Sequence, residues 1–133
     1  MISSLATLNR IYAILNIPGI TSLLSGSIYV SKRPSTSNKQ DIVISSLDND
    51  AEDTQTVTVI IDVFCNDFPE TGTRDNAFFA SIFRAIDNAL IAYSPVPDYL
   101  GMKKIGELIF NDNERKYTSI LSIRMLVYIT NNE

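Results

Sequence analysis

One stretch of the sequence constrains the fold more than any other, and it covers residues 54–65, which read TQTVTVIIDVFC. Two sets of side chains alternate here, so that one side of an extended chain is wholly apolar and the other is mixed. The apolar set is Val57, Val59, Ile61, Val63 and Cys65. Because successive side chains of a β-strand point to opposite faces, the pattern predicts a strand with one face on a core.

Two other segments have the spacing of helices. In SSLATLNRIYAILN (residues 3–16) and in RDNAFFASIFRAIDNALIAY (residues 74–93), apolar side chains recur every three or four positions. The first pattern ends at NIPG, because proline cannot donate and glycine tolerates left-handed backbone angles. Asp75 lies near the start of the second pattern, where the positive end of a helix dipole favours a carboxylate. We therefore expect two amphipathic helices.

The remaining strands complete the fold class. We expect strands at 27–32 and 41–47 besides 54–65, and a C-terminal hairpin made of KIGELIF, the turn NDNE and RKYTSILSIRMLVYIT. The connections are mostly shorter than a crossover helix needs, which favours antiparallel pairing. The sequence predicts one α+β domain over residues 1–133: a mainly antiparallel sheet of about five strands with two packed helices, in the order α-β-β-β-α-β-β.

Reaction chemistry has little support in the composition. The 133 residues include no histidine and one cysteine, and the formal net charge is −4. Histidine is the commonest general base, and sequence-independent DNA binders are normally basic. Cys65 ends an apolar strand face, which favours a buried packing role. We expect no catalytic, cofactor-binding or metal-binding residues, and we expect that the protein is not an enzyme.

Residues 48–53, DNDAED, superficially resemble the first positions of a calcium loop. However, the sixth position is Asp53 where glycine is required, and the twelfth is Val59 where glutamate is required. We interpret this acidic segment as a solvated turn between strands.

Two segments of opposite charge flank the predicted second strand. The basic loop carries Lys32, Arg33 and Lys39, and the acidic segment carries Asp48, Asp50, Glu52 and Asp53. One hypothesis is that they meet between neighbouring subunits, where rim charges set register and partner choice. The alternative is that both are solvated, since exposed ion pairs contribute only ~0–1 kcal/mol.

Several local patterns resemble the tail-terminator and tail-completion proteins of tailed bacteriophages. They are the opening LNRIYAILNIPGITSLLSGSIYV, the strand TVTVIIDVFCND, the helix DNAFFASIFRAIDNALIAY and the closing ERKYTSILSIRMLVYIT. The resemblance implies a structural virion protein of the phage neck or tail that forms a six- or twelve-fold homo-oligomeric ring. It also implies neighbouring portal, connector and tail proteins as partners, and genome DNA that passes through without specific binding.

The location follows from the same resemblance, which implies synthesis in the host bacterial cytoplasm and assembly into the virion. No run approaches the ~20 apolar residues of a membrane span, and MISSLATLNR lacks the pattern of a signal peptide. We therefore expect no membrane partner.

A second function class stays open beside the phage ring. It is a small-molecule-binding or catalytic α+β domain of unknown substrate. Such a domain would use a pocket between the sheet and a helix, with Tyr12, Asp62, Arg84 or Arg124 as polar anchors.

Overall fold

The α+β fold predicted from the sequence is confirmed by a computed structural model, which describes residues 4–51, 54–92, 100–112, 115 and 117–130. Three helices and five strands lie in this part of the chain. The helices are α1 (Ser4–Leu15), α2 (Pro18–Thr21) and α3 (Asn76–Ala92). The strands are β1 (Ile28–Val30), β2 (Ile42–Ala51), β3 (Thr54–Asn66), β4 (Leu100–Asn111) and β5 (Thr118–Thr130).

The strands form one sheet in the order β1-β2-β3-β5-β4. The pairs β2–β3, β3–β5 and β4–β5 are antiparallel, whereas β1 and β2 are parallel. The parallel pair explains the long loop 31–41, because the chain must return from the end of β1 to the start of β2, which a tight turn cannot do. A loop without a helix can make this return since β1 has only three residues.

The core lies between the three helices and one face of the sheet. The five apolar residues that alternate along β3 are all buried, as are Leu121, Ile123, Met125 and Val127 of β5. The helices contribute side chains at helical spacing, which are Leu8, Ile11, Leu15, Ile20, Phe79, Ile82 and Ile86. Each fully buried aliphatic side chain stabilises the fold by about 1.5–3 kcal/mol relative to exposure.

The predicted acidic turn lies partly in a strand. β2 extends to Ala51, so Asp48 and Asp50 belong to this strand, whereas Glu52 and Asp53 lie outside the described residues. After a register shift between Ser46 and Asn49, β2 pairs again with β3, for example Asp50 with Thr56. Pairing with the long strand β3 outweighs the low strand propensity of Asp and Asn.

One further boundary agrees with the expectation and one differs from it. α3 begins as predicted, and Asp75 caps it, since its carboxylate accepts a hydrogen bond from the backbone N–H of Phe78 at 3.1 Å. β4 begins at Leu100, before the predicted KIGELIF, and the connector before it (residues 93–99) lies outside the described residues. β4 is therefore a twelve-residue strand.

Candidate interaction surface: the open sheet face and the edge strand

The sheet face opposite the helices, which we call the open face, carries the side chains that alternate with the core residues. Cross-strand pairing defines its rows. One row runs from Val43 through Asp62 and Ser122 to Leu108, and the next runs from Phe64 through Ile120 to Phe110. None of the described helices packs on this face, which therefore combines apolar side chains with one central carboxylate.

Asp62 is the most unusual residue of the open face. The Ser122 hydroxyl hydrogen-bonds its carboxylate, but the buried Oδ1 atom has no hydrogen-bond partner among the described residues. Burial raises the pKa of Asp62, while the Ser122 hydrogen bond and the positive charge of Arg124 lower it. A buried polar atom without a partner costs ~1–3 kcal/mol, so its presence calls for an explanation.

Two hollows adjoin Asp62 on the open face. The loop-side hollow, of about 540 Å³, lies towards the basic loop and is lined by Lys32, Arg33, Phe64 and Arg115 among others. The edge-side hollow, of about 560 Å³, lies towards β4, and its lining includes Ile60, Ile105, Leu108, Phe110 and Arg124. Asp62 contributes to both hollows, so it lies at the centre of a shallow groove across the sheet.

The edge strand β4 is the second notable feature. It pairs with β5 on one side and is the last strand of the described sheet on the other. Its first half carries Lys103 and Lys104, and the register shifts between Lys104 and Gly106. Lysines and bulges are the features by which proteins protect sheet edges.

The second half of β4, Glu107–Asn111, lacks this protection. It pairs regularly with β5 and carries exposed apolar side chains, since Leu108 is 63% and Ile109 36% exposed. Leu108 lies on the open face and Ile109 on the helix-side face, as their partners Ser122 and Leu121 show. This half-strand is therefore an apolar edge with unpaired backbone groups, a surface suited to strand addition.

The basic loop is fixed to the domain by Asp41, which is fully buried. Arg33 Nη1 donates to Asp41 Oδ2 at 3.1 Å, and the guanidinium lies 3.9 Å from the centroid of the Phe64 ring. The Ser27 N–H and the Ser37 hydroxyl also donate to this carboxylate. Arg33 is therefore part of an internal ion pair, and its contact with a neighbouring subunit stays a prediction.

The other predicted contact residues are distributed as follows. Lys32 and Lys39 are exposed, and their contact with another subunit stays a prediction. The side chains of Asp48 and Asp50 lie outside the described part, as do Glu52 and Asp53 entirely. The two charged segments lie at opposite ends of β2, because the loop precedes Ile42 and the acidic residues follow Leu47.

A third cavity, of about 890 Å³, lies where three loops meet at one end of the sheet. Its polar groups are largely occupied by one another. The Ser119 hydroxyl donates to Asp67 Oδ1 at 2.7 Å, and the Asn66 side-chain amide donates to the Asn38 carbonyl at 2.7 Å. Arg115, which lines this cavity and the loop-side hollow, donates to the Ser37 carbonyl. These bonds fasten the loops together.

The polar anchors of the predicted sheet–helix pocket are separated by the fold. Tyr12 lies on α1 and Arg84 on α3, whereas Asp62 and Arg124 meet in the edge-side hollow on the opposite side of the sheet. The pocket is therefore on the open face rather than between sheet and helix. One feature of the sequence indicates the apolar edge. In KIGELIF, apolar residues fall on both faces of an extended chain, whereas a strand with one face in solvent usually has polar residues on that face.

Other chemistry is limited in the described part of the chain. Cys65 is buried as predicted, and burial raises the pKa of its thiol, which disfavours the reactive thiolate. No group of three or more acidic or cysteine side chains that could hold a metal ion is found among the described residues. No helix in the described ranges is both long and apolar enough for a membrane span.

Comparison with known proteins corrects the predicted function. No protein-family model and no curated protein matches the chain. Among solved structures, the fold is similar to the type 4 fimbrial biogenesis protein PilO from Pseudomonas aeruginosa, with 12% identity, a TM-score of 0.46 and coverage of 98% of this chain and 73% of that chain. That protein is not a phage neck or tail protein, and the prediction of a phage ring subunit is wrong.

A likeness at this level carries no argument for a fimbrial role in the present chain. The resemblance to the phage family and the virion location stay untested predictions.

Proposed function

We propose that this protein is a non-catalytic assembly protein that binds a second copy of itself by antiparallel pairing of the β4 edges. The observation that carries the proposal is the half-strand Glu107–Asn111, which has a free edge in the described sheet and exposed Leu108 and Ile109. Long apolar edges are templates for pairing with another chain, and proteins protect them unless the edge is used. A non-catalytic role agrees with the lack of histidine in the sequence.

A second copy fits this edge because the half-strand is complementary to itself. When two such strands pair about Ile109, that residue faces its own copy and Leu108 faces Phe110 of the second copy. Glu107 then faces Asn111, so no carboxylate opposes another. Side chains directly opposite each other in an antiparallel pair lie about 4.5–5.5 Å apart, which brings the apolar groups into contact.

The expected complex is weak. Five paired residues on each side bury less than the ~1,200–2,000 Å² of a standard interface. We therefore expect an equilibrium between monomer and dimer in the micromolar range or above, sensitive to single substitutions on the edge. A longer assembly would need a second contact elsewhere on the molecule.

Sedimentation velocity across a concentration series tests the proposal. The wild-type protein is expected to shift towards dimer with concentration, and Leu108→Lys and Ile109→Lys are expected to stay monomeric over the same range. Leu47→Lys is the matched control, because Leu47 lies on β2 and is 61% exposed. If both edge variants associate as the wild-type protein does, or if the wild-type protein stays monomeric at millimolar concentration, the proposal is wrong.

A further inference from the structure

We infer that the edge-side hollow binds a small organic cation, an ammonium group on an apolar body, with the charge paired to the Asp62 carboxylate. This inference rests on Asp62 and not on the strand edge, so it is independent of the proposed self-association. A strand added at β4 would extend the sheet in its own plane and leave the open face uncovered.

The carboxylate of Asp62 is incompletely hydrogen-bonded. It is bonded by the Ser122 hydroxyl, while Oδ1 is buried and has no hydrogen-bond partner in the described chain. Sites that break a rule of packing in this way are expected where a protein has a function. An ammonium group supplies the donors that Oδ1 lacks, and the broad side-chain torsion of aspartate allows the carboxylate to turn towards it.

The hollow has the size and the lining of a small-molecule site. Its volume of about 560 Å³ lies within the ~300–1,000 Å³ of small-molecule sites. Asp62 lies on β3, two strands in from the free edge, so the floor spans ~10 Å at the usual strand spacing. Ile60, Leu108 and Phe110 line the hollow and offer contacts to an apolar ligand body.

The charges around Asp62 differ between the two hollows. Besides Asp62, which lines both hollows, the loop-side hollow is lined by the cations Lys32 and Arg115, by Arg33, which is paired with Asp41, and by one carboxylate, Asp112. The edge-side hollow has one cation, Arg124, and one further carboxylate, Glu107, so its charge balance is more favourable to a cation. The side chain of Arg124 in the edge-side hollow is exposed. Its positive charge lowers the pKa of Asp62 by less than burial raises it. Arg124 favours a ligand whose far end is neutral or negative.

A titration with phenethylamine, followed by amide chemical shifts, tests the inference. We expect saturable shifts centred on Asp62, Ser122 and Leu108. The uncharged analogue of the same shape, phenethyl alcohol, should bind with an affinity at least about tenfold lower, since it lacks the charge that pairs with Asp62. Asp62→Asn keeps the shape of the side chain and should bind the amine no better than the alcohol.

The pH dependence gives a second readout. Amine binding should weaken as pH falls and Asp62 takes up a proton, and in Asp62→Asn this dependence should disappear. The other charged residues that line the two hollows are Lys32, Arg33, Glu107, Asp112, Arg115 and Arg124. Two of these are carboxylates, so the variants Glu107→Gln and Asp112→Asn serve as controls, and both should retain the dependence.

The outcomes separate this inference from the proposed function. The titration is run on Ile109→Lys as well, because Ile109 lies on the helix-side face and its substitution is expected to abolish pairing without touching the hollow. Amine binding by this monomeric variant supports the inference whatever the wild-type oligomeric state. Equal affinity for amine and alcohol, or unchanged amine affinity in Asp62→Asn, would overturn it.

Discussion

The carboxylate of Asp41 occupies the space that a side chain on Gly26 would need. A Cβ atom added to Gly26 would lie 1.8 Å from Asp41 Oδ1 and 2.8 Å from the Gln40 carbonyl oxygen. The same Oδ1 accepts a hydrogen bond from the Ser27 N–H at 3.0 Å, so the start of β1 and the start of β2 are held together by one carboxylate. This contact is what fixes the return of the basic loop.

Gly26→Ala is therefore expected to destabilise the protein by about 1–3 kcal/mol, the usual cost of an atom forced into filled space. Urea unfolding measures the change. Gly19→Ala is the matched control, because nothing lies within 4 Å of its added Cβ. Gly19 lies in α2, where alanine is favoured over glycine, so the control should be neutral or slightly stabilising. Equal effects of the two substitutions would contradict the role of Asp41.

Removal of the Asp41 carboxylate should cost more. Asp41→Ala leaves Arg33 without its partner, and breaking a buried ion pair from one side typically costs ~3–5 kcal/mol. Both side chains are well buried, with exposures of 9% for Arg33 and 0% for Asp41. The neighbouring Lys32 is exposed, and Lys32→Ala should change the free energy of unfolding by less than about 0.5 kcal/mol. A small effect of Asp41→Ala would show that the loop is held by other contacts.

Asp62→Asn should stabilise the protein at neutral pH. The pKa of Asp62 is raised in the folded state above its ordinary value of 3.8, so the folded state holds this proton more tightly than the unfolded state does. Stability from this group is therefore fully present below pH 3.8 and is lost as pH rises through the folded pKa.

The comparison of the two proteins by thermal unfolding at pH 3 and pH 7 checks this sign. Asp62→Asn, which does not ionise, should melt above the wild-type protein at pH 7, and the difference should shrink or vanish at about pH 3. A difference that is the same at both pH values would mean that the substitution acts by packing and not by charge.

Cys65 should react slowly with thiol reagents in the native protein. Burial raises its thiol pKa, and the side chain lies in the core with 3% exposure. A chromogenic disulfide reagent at pH 8 should therefore label the thiol at a rate set by opening of the structure, and at once in denaturant. Rapid labelling of the native protein would contradict the buried position.

Much of the fold could be predicted because the apolar residues that pack in the core recur with the period of a strand or of a helix. The alternation from Val57 to Cys65 identified β3, and the hairpin of β4 and β5 followed from its turn. Spacing alone was less reliable at the surface. Leu5 has the correct helical phase and is still 59% exposed, because the buried face of α1 begins only one turn later, at Leu8. Periodicity therefore shows which face of a helix is apolar, but not how much of that face is buried.

Other features depend on contacts that are distant in sequence. Examples are the parallel pairing of β1 with β2 and the position of β4 at the edge. Both depend on which strands pair, and local sequence patterns do not indicate this. Arg33 was expected in a free loop, because its partner Asp41 cannot be recognised until the loop folds back. The phage function rested on patterns of fold, and one fold can carry many unrelated functions.

The most direct test of the central claim, pairing of two β4 edges about Ile109, is disulfide trapping. Ile109→Cys in a Cys65→Ala background places a thiol opposite its own copy in the expected register, within the distance a disulfide can close. Mild oxidation should give a covalent dimer of this variant and little of Leu47→Cys in the same background. Leu47 is the more exposed of the two residues, at 61% against 36% for Ile109, but it lies on β2. Equal cross-linking of the two variants, or none of Ile109→Cys at concentrations where the wild-type protein sediments as a dimer, would contradict the claim.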